Sequence, residues 1–445
     1  MSQRTRILAE IWGFRGWKID DVWYEDERGR RVLPIEGLAP AGSKVVLRVS
    51  RTWAPRCACC GAITDRIHER LPSRRWRDLP WVEHVAEIDY APVRVACRRC
   101  GRTGVEAVAW ADPKQRQSRR FQHMLALQAA SMPVQHVAAV HGLDWGTVRR
   151  AEQHALSRWD RSRTTPPLRQ IGIDEKYLGR RNKLADDYVT IVSNLETGEP
   201  LWIGYGRSEA TVAKWLATKT PAQKAAITLA VMDLHAPFAA AIRNDPAMKH
   251  VEIAHDPFHV MKRAGEAIDE LRRETFFRAG EAMRRIGRGT RWLVLRAWEK
   301  CSETEQGRLR DLFKHNQLLA RAYQIKEELR EVLRAPDGLS MSLGLDRILR
   351  RTERRCHKPL RRLHDSLVRH RPAIQALADH RPAAGRVEAL NNNWETLVRR
   401  GRGYRNHEYL LLKLRFMVAN PIRKEDGVKR FLALALQPPP ARTAA

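Results

Sequence analysis

The amino-acid sequence predicts a chain of several domains that belongs to the α+β class. Three observations support this prediction. Five of the seven cysteines lie between residues 57 and 100. Residues 170–258 alternate between strand-like and helix-like runs, and residues 259–384 have a helical pattern throughout. The length of 445 residues is enough for two to four domains.

The N-terminal 56 residues contain two short β-type runs, "WKIDDVWYE" and "KVVLRVS", with a segment rich in glycine and proline between them. The pattern becomes helical over residues 111–160. The stretch "DRSRTTPPLR" at 160–169 is polar and contains two prolines, so it is predicted to be a linker.

The sequence from 170 to 258 predicts a sheet with helices against it. Four stretches are strand-like: "RQIGIDEKYLG", "DDYVTIVSN", "EPLWIGYG" and "AAITLAVMD". The stretches "SEATVAKWLAT" and "APFAAAIRND" are helix-like. The order of three strands, helix, strand and helix is typical of an α/β or α+β domain.

The following segment repeats apolar residues at three- and four-residue steps, which is the spacing of a helix face that meets a core. One such stripe consists of Leu318, Ala322, Ile325, Leu329 and Val332. Composition and pattern divide the chain into six segments: a β-type segment that contains the cysteine cluster, a helical segment, a segment of strands and helices, a long helical segment, a last helical segment and a tail. Their ranges are 1–110, 111–165, 166–258, 259–384, 385–425 and 426–445.

The charge of the chain points to a large polyanion as its partner. Lys and Arg together number 81 against 51 Asp and Glu, which gives a net charge of +30. The positive charge is spread along the chain, and nucleic acid is the simplest partner for such a protein. A general enrichment in arginine from a GC-rich genome is the alternative explanation.

No apolar run approaches the roughly 20 residues that a membrane helix needs. The N-terminal stretch "MSQRTRILAEIWGFRGW" contains no sustained apolar core of a signal peptide. We therefore expect a cytoplasmic protein without a membrane partner, associated with the nucleoid. The odd, clustered cysteines favour metal binding in a reducing compartment over a disulfide framework.

The cysteine cluster predicts a structural zinc site. Cys57 and Cys60 have C-x-x-C spacing, and Cys97 and Cys100 repeat it. Glycine follows each pair and permits the tight turn of a metal knuckle. Four thiolates suit a closed tetrahedral zinc site without a catalytic role. The alternatives are buried free thiols, or Cys59 in place of Cys60 at a less suitable spacing.

A helix-turn-helix is predicted over "PVQHVAAVHGLDWGTVRRAEQHAL", residues 133–156. Ala138 allows two helices to cross closely, Gly142 suits the turn, and Val148 packs the second helix back. That helix is expected to begin near Asp144. The residues it would present to the DNA major groove are Trp145, Thr147, Arg149 and Arg150.

Acidic residues at the ends of apolar strands predict a second metal site. Asp174 ends the run "IGIDEK", Asp233 ends "LAVMD", and Glu388 lies on a late helix one turn before Asn391 and Asn392. Such oxygen ligands suit magnesium or manganese. Two ions can bind the attacking and leaving oxygens of a phosphoryl transfer. Glu175 directly follows Asp174, so its side chain is expected on the opposite face of the strand.

These stretches together resemble bacterial transposases of the DDE type, specifically the ISL-three insertion-sequence family. The similar stretches include both cysteine knuckles, the helix-turn-helix, "IGIDEK", "VMDLHAPF" and "AHDPFHVMK". The most specific one is "VEALNNNWETLVRRGRGYRNHEYLLLKLRF". Pro257 departs from the family pattern, which leaves Asp256 and His259 as either supporting groups of the site or parts of a helix start.

The resemblance implies an RNase H-like catalytic domain with a long helical insertion between Asp233 and Glu388. It implies Asp174, Asp233 and Glu388 as the catalytic triad, and double-stranded DNA bound by a homo-oligomer. The basic residues expected to grip phosphates are Arg399, Arg400, Arg402 and Arg405. The expected activity is cleavage and strand transfer at terminal inverted repeats. A DNA-binding regulator derived from a transposase and a metal-dependent nuclease without strand transfer remain the alternatives.

Overall fold

The computed structural model describes residues 10–436, apart from residues 11, 36–37, 165–166, 179–186, 279, 354–356, 384 and 402–403. The chain divides into two compact units. The first unit is drawn from residues up to 164 and from 396 onward, and the second from residues 165–395. None of the helices in the described ranges has the length and apolar character that crossing a bilayer requires.

The first unit begins with two small sheets. Their strands are β1 (Trp17–Glu25), β2 (Arg31–Val32), β3 (Lys44–Arg51), β4 (Ile67–Arg70), β5 (Arg74–Arg77), β6 (Val85–Tyr90), β7 (Val93–Ala96) and β8 (Thr103–Val105). The orders are β2-β1-β3-β6-β5 and β4-β7-β8. Strands β1 and β3 confirm the two predicted runs. The fully buried Trp110 is the centre of this core, with the rings of Trp17 and Trp76 at 4.6 and 5.7 Å.

Three helices follow in the same unit: α1 (Arg119–Ser131), α2 (Val134–Val140) and α3 (Trp145–Arg161). The turn between α2 and α3 contains Gly142 at a φ of 58°, a conformation that favours glycine. Ala138 and Val148 are buried against each other's helices in one apolar cluster. The Asp144 side chain caps α3 by accepting from the Thr147 N–H. These features confirm the predicted helix-turn-helix.

The second unit is built on a mixed sheet of five strands. They are β9 (Gln170–Tyr177), β10 (Tyr188–Asn194), β11 (Pro200–Tyr205), β12 (Leu229–Met232) and β13 (Glu252–His255), in the order β11-β10-β9-β12-β13. Strands β9, β10 and β11 pair antiparallel, whereas β12 pairs parallel to both β9 and β13. The sequence predicted four of these strands and missed β13, which has only four residues.

Both faces of this sheet are covered by helices. On one face, Ile171 and Ile173 share an apolar cluster with helices α4 (Glu209–Leu216) and α6 (Ala236–Asn244). The short helix α5 (Pro221–Ala225) precedes β12. On the other face, Val231 and Ala254 belong to a second cluster formed with the helices that follow the sheet.

The segment after β13 is helical, as the sequence predicted. Its helices are α7 (Pro257–Phe277), α8 (Glu281–Gly287), α9 (Arg291–Leu295), α10 (Glu303–His315), α11 (Gln317–Val332), α12 (Gly338–Glu353), α13 (Lys358–His380) and α14 (Gly385–Gly401). The predicted stripe lies on α11, where Ala322, Ile325, Leu329 and Val332 are buried. Leu319 is fully buried at the start of this stripe, and Leu318 only packs beside it.

The last two helices, α15 (His407–Ala419) and α16 (Gly427–Ala433), belong to the first unit. Phe416 of α15 packs edge-on against Trp159 of α3, with ring centroids 4.9 Å apart. The buried carboxylate of Glu152 accepts hydrogen bonds from Tyr409 and Lys413. The segment from 396 onward therefore lies with the helix-turn-helix, whereas the sequence pattern predicted one catalytic segment over 385–425.

Candidate active site

The pairing of β9 with β12 brings two of the predicted acids together. The last residue pair between these parallel strands is Ile173 with Met232. Asp174 and Asp233 each follow a member of that pair, so they lie at the same level of the sheet. Strand β9 itself continues to Tyr177, because β10 still pairs with it beyond this point. Asp174 therefore lies within β9, not at the end of it as the sequence pattern predicted.

The Asp174 carboxylate is almost fully buried, with 6% of the residue exposed, and its neighbours hold it in place. Oδ1 accepts from the backbone N–H of Glu175 at 2.8 Å, and Oδ2 accepts from the side-chain amide of Asn391 at 2.7 Å. The Lys176 ammonium lies 3.7 Å from Oδ2. Helix α14 thus reaches Asp174 through Asn391, which the sequence placed on the face of Glu388.

Asp233 is paired with His259 of α7. The His259 Nδ1 lies 3.0 Å from Asp233 Oδ1, and both side chains are largely buried. Burial raises the pKa of Asp233, but the hydrogen bond and charge of His259 outweigh it and leave that pKa below its usual value. Burial lowers the pKa of His259, but the hydrogen bond and the charge of Asp233 raise it by more. The pKa of His259 therefore lies above its usual value, and the imidazole favours its charged form.

Asp256 begins helix α7. Its side chain accepts from the backbone N–H of Phe258 at 2.9 Å, and Pro257 occupies the first turn, where a missing N–H does no harm. Burial raises the pKa of Asp256, and the charges of Asp174 and Asp233 raise it further. Asp256 therefore caps a helix and is electrostatically coupled to Asp174 and Asp233.

Glu388 lies in the first turn of α14, with its side chain on the exposed surface. It lines one cleft with Asp174, Asp233, Asn391 and Asn392, and the cleft has a volume of about 680 Å³. The ligand atoms of Asp174, Asp233 and Glu388 do not all lie within 4.8 Å of one another. Among the described residues, the set whose ligand atoms all lie within 4.8 Å of one another consists of cysteines.

The same cleft contains charged groups that the sequence did not single out. Lys176, Arg207 and Lys262 line it together with the acids. For Lys176 the available signal was its place two positions after Asp174, but so basic a chain offers many such neighbours.

Glu175 lies closer to this site than the sequence predicted. Ile173 packs on the face opposite to α14, which agrees with strand alternation. Nevertheless Glu175 lines the cleft, and its Oε2 is buried without a hydrogen-bond partner among the described groups. Burial and then the charge of Asp233 raise the pKa of Glu175, so its carboxyl group is electrostatically coupled to the acids.

The four predicted cysteines form a compact cluster in the first unit. Cys57 Sγ lies 3.7 Å from Cys100 Sγ, and Cys60 Sγ lies 3.5 Å from Cys97 Sγ. A zinc ion with Zn–S bonds near 2.3 Å separates its ligands by about 3.8 Å, so the cluster has the right size for zinc. The side chain of Cys59 is not part of this group.

Each pair of cysteines is held in a knuckle by its glycine. Gly61 and Gly101 have φ angles of 72° and 67°. Their N–H groups donate to the carbonyls of Cys57 and Cys97, both at 2.9 Å. The backbone N–H of Cys100 lowers the pKa of the Cys97 thiol to about 7, whereas the pKa values of Cys60 and Cys100 are raised by burial and by neighbouring thiols.

The N-terminal residues of α3, the proposed recognition helix, differ in their exposure to solvent. Trp145 is 53% exposed and Arg150 is exposed, whereas Thr147 and Arg149 are half-buried. The Arg150 guanidinium donates to the Thr147 hydroxyl at 3.1 Å. The Arg149 guanidinium lies 5.5 Å from the centre of the Trp145 ring. The first two turns of α3 thus offer an aromatic group and two cationic groups.

The arginines of the late basic run, which are expected to bind DNA phosphates, differ in their surroundings. Arg399 and Arg405 are exposed. Arg400 donates to the backbone carbonyl of Ala130 at 2.7 Å, so it contributes to the packing of the first unit against the end of α1. This contact competes with the predicted role of Arg400 in phosphate binding. Arg402 lies outside the described residues.

Comparison with known proteins agrees with this architecture. Residues 171–414 match a family model described as a transposase, and residues 106–156 match the helix-turn-helix domain of transposase family ISL3. The transposase for insertion sequence element IS1001 of Bordetella parapertussis is 27% identical over 413 residues, which cover 92% of this chain and 97% of that protein. The transposase for element IS1557 of Mycobacterium tuberculosis is 27% identical over 423 residues, with coverages of 88% and 90%.

The fold and the matched ranges define the class of the protein. A helix-turn-helix in one unit, and a mixed sheet with clustered acids inside the range that matches the transposase model, characterise a DNA transposase. Since that model covers more than half of the sequence, the chain belongs to the ISL3 family of transposases.

Proposed function

We propose that this transposase binds the terminal inverted repeats of its own insertion sequence and catalyses metal-dependent cleavage and strand transfer there. The proposal rests on one observation above all: Asp174 within β9 and Asp233 directly after β12 lie at the same level of the sheet, and Asn391 of α14 donates to Asp174. Glu388, one turn before Asn391, lines the same cleft. We assign these three acids as the catalytic triad.

The topology of the second unit supports an RNase H-like catalytic domain. Three antiparallel strands continue into two parallel ones, and the acids lie where the direction changes. In this proposal helices α7 to α13 form an insertion between β13 and α14. The finer division into a zinc-binding module, a helix-turn-helix domain, a split catalytic domain, an insertion and a tail belongs to the same proposal.

Carboxylate and amide oxygens are the donors that suit Mg²⁺ or Mn²⁺, so the chemistry of the cleft fits such ions. When bound there, two ions would stabilise the attacking and leaving oxygens of an in-line phosphoryl transfer. Asn391 and the backbone hold Asp174 in a defined orientation, and His259 does the same for Asp233. The exposed Glu388 side chain would move toward them to complete the site. Lys176 and Lys262 would attract the DNA phosphate.

DNA binding is assigned to the first unit. The exposed residues of α3 would read bases in the major groove, and the zinc-binding module would extend the contact along the element end. The protein would act on double-stranded DNA in the cytoplasm, at the nucleoid. The pairing of two element ends would require a homo-oligomer.

The test is an analysis of reaction products. The full-length protein is incubated with Mg²⁺ or Mn²⁺, a labelled duplex that carries the inverted repeat flanking its gene, and a target plasmid. We expect strand cleavage at the repeat and joining of the 3′ end to the plasmid. Cleavage without joining would support the metal-dependent nuclease, and repeat binding without cleavage would support the regulator.

A further inference from the structure

Large aromatic side chains remain open to solvent beside the clustered acids. Phe258, in the first turn of α7, is 59% exposed, and Tyr177, at the end of β9, is 54% exposed. Both line the cleft that contains Asp174 and Asp233. The roles proposed above for the acids do not require either ring. Aromatic groups exposed in a cleft commonly mark a binding surface.

Tyr188 extends this aromatic surface and brings a cation to it. The rings of Tyr177 and Tyr188 have centroids 5.1 Å apart, at an angle of 52°. The Arg207 guanidinium lies 4.0 Å from the centre of the Tyr188 ring. Lys262, one turn after Phe258 on α7, lines the same cleft. The cleft therefore combines flat rings with positive charges.

We propose that the aromatic rim, defined as Tyr177, Tyr188 and Phe258, binds unpaired nucleotides of a DNA end by stacking on their bases. This inference rests on the proposed function, because it requires DNA in the cleft. A base inside a duplex is covered on both faces by its neighbours, so it must leave the stack before it can lie on a protein ring. The nearby cations Arg207 and Lys262 then meet the backbone phosphates.

The cations Arg207, Lys262 and Lys176 line the same cleft as the rim, together with its carboxylates. These cations suit a ligand that carries aromatic groups and a negative charge at each unit of its chain. Separation of the terminal base pairs would also let the phosphate of one strand approach the buried Asp174 without its complement. The rim thus fits a single strand better than an intact duplex.

The first test measures stacking without cleavage. Full-length protein is mixed, without divalent metal, with an oligothymidine strand that carries one 2-aminopurine, whose fluorescence falls when it stacks. We expect wild type to quench the signal, Phe258→Ala to bind roughly tenfold more weakly with little quenching, and Phe258→Trp to restore both. Trp292→Ala is the matched control, because Trp292 is 68% exposed in the same unit but does not line the cleft.

Equal quenching by wild type and Phe258→Ala would overturn the proposal. So would equal binding of the paired duplex with the same dependence on Phe258, because the rim would then contact duplex DNA.

The second test separates this proposal from the proposed function. Phe258→Ala is expected to cut a fully paired element end roughly tenfold more slowly than wild type, and to recover on an end whose terminal bases are mispaired. An equal loss on both substrates would contradict a role in holding unpaired bases. If wild type cuts neither substrate but still shows quenching that depends on Phe258, the proposed function fails and the aromatic rim stands.

Discussion

At the residue scale, a single amide connects the late helix to the sheet. The side chain of Asn391 donates to Asp174 Oδ2 at 2.7 Å, and Glu388 lies one turn earlier on α14. The same bond orients a carboxylate and places the segment that carries the third acid. Groups that orient a metal-binding carboxylate commonly contribute tenfold or more to activity, although they do not touch the substrate.

Asn391→Ala is therefore expected to lower metal-dependent cleavage roughly ten- to hundredfold and to leave the affinity for the element end unchanged. The physical reason is that Asp174 loses the donor that holds its Oδ2 in place. Asn393→Ala is the control, because Asn393 lies on the same helix and does not line the cleft. Equal activity of both variants in a cleavage time course would show that Asn391 does not position Asp174.

The sequence singles out Asp174 and Asp233 as candidate metal ligands. Each acid follows an apolar run, where a buried carboxylate needs a partner, and neighbouring strands can bring two such acids together. It could not identify the pairing of His259 with Asp233, because that contact depends on the crossing of α7 over the sheet. The position of Glu175 was only partly predictable. Strand alternation holds locally, but the charges of Asp233 and Asp174 still reach its carboxyl group.

At the element scale, α3 is the element expected to read DNA sequence. Arg150→Ala is predicted to weaken discrimination by about 1–3 kcal/mol at one base pair if the guanidinium contacts a guanine edge. The measurement is a competition between end sequences that differ at single positions. Arg161→Ala serves as control, because it removes an equal charge at the opposite end of the helix. If both variants weaken all sequences alike, Arg150 contacts only phosphate.

The cysteine knuckles are the second element with a direct test. Cys57→Ser is expected to release zinc and to weaken binding of the element end, because three thiolates leave the tetrahedral site incomplete. Cys59→Ser should retain zinc, since this thiol lies outside the cluster. Zinc content of the purified proteins is the readout. An unchanged content in Cys57→Ser would remove the assignment of the cluster.

A buried histidine of α1 predicts how the stability of the first unit depends on pH. His123 Nδ1 lies 2.8 Å from the carbonyl of Phe431, and its Nε2 has no hydrogen-bond partner among the described groups. Burial lowers the pKa of His123 to about 4, so the folded state favours the neutral ring. The unfolded chain binds the proton first as pH falls. The stabilisation is complete above about pH 6.5 and is lost toward pH 4, by roughly 1.4 kcal/mol per unit.

The test compares the free energy of unfolding of wild type and His123→Gln between pH 7 and 5. The pH slope is expected to decrease in His123→Gln, whatever its absolute stability, and to persist in His136→Gln, where the exposed His136 makes the matched control. Identical slopes in all three proteins would show that His123 does not titrate as described.

Elements were predictable where their pattern is long and regular, as in β1, β3, α3 and α11. Strand β13 was missed because only two of its four residues, Ile253 and Ala254, are apolar, whereas the equally short β12 is apolar throughout. The attachment of α15 and α16 to the first unit could not be predicted either. It depends on Phe416 packing against Trp159 and on the buried Glu152, contacts between residues far apart in sequence.

At the scale of the whole molecule, the net charge of +30 and the separate DNA-binding and acid-containing units suit a protein that holds DNA in one unit and acts on it with the other. Charge predicted the class of partner from the sequence alone. The division of the chain into two units was harder to predict from the sequence, because one unit is assembled from two segments that are far apart in sequence. Composition and periodicity describe residues that are close in sequence, so they do not predict that two distant segments pack into one unit.

Asp174, Asp233 and Glu388 are together proposed to carry the catalysis. The most direct measurement is cleavage and joining of a labelled element end, with Mg²⁺ or Mn²⁺, by Asp174→Asn, Asp233→Asn and Glu388→Gln. Each is expected to abolish both reactions, because the charge that binds metal is lost while shape is kept, and to leave end binding intact. Glu175→Gln should retain substantial activity. Normal cleavage by the three triad variants, or its loss in Glu175→Gln alone, would contradict the assignment.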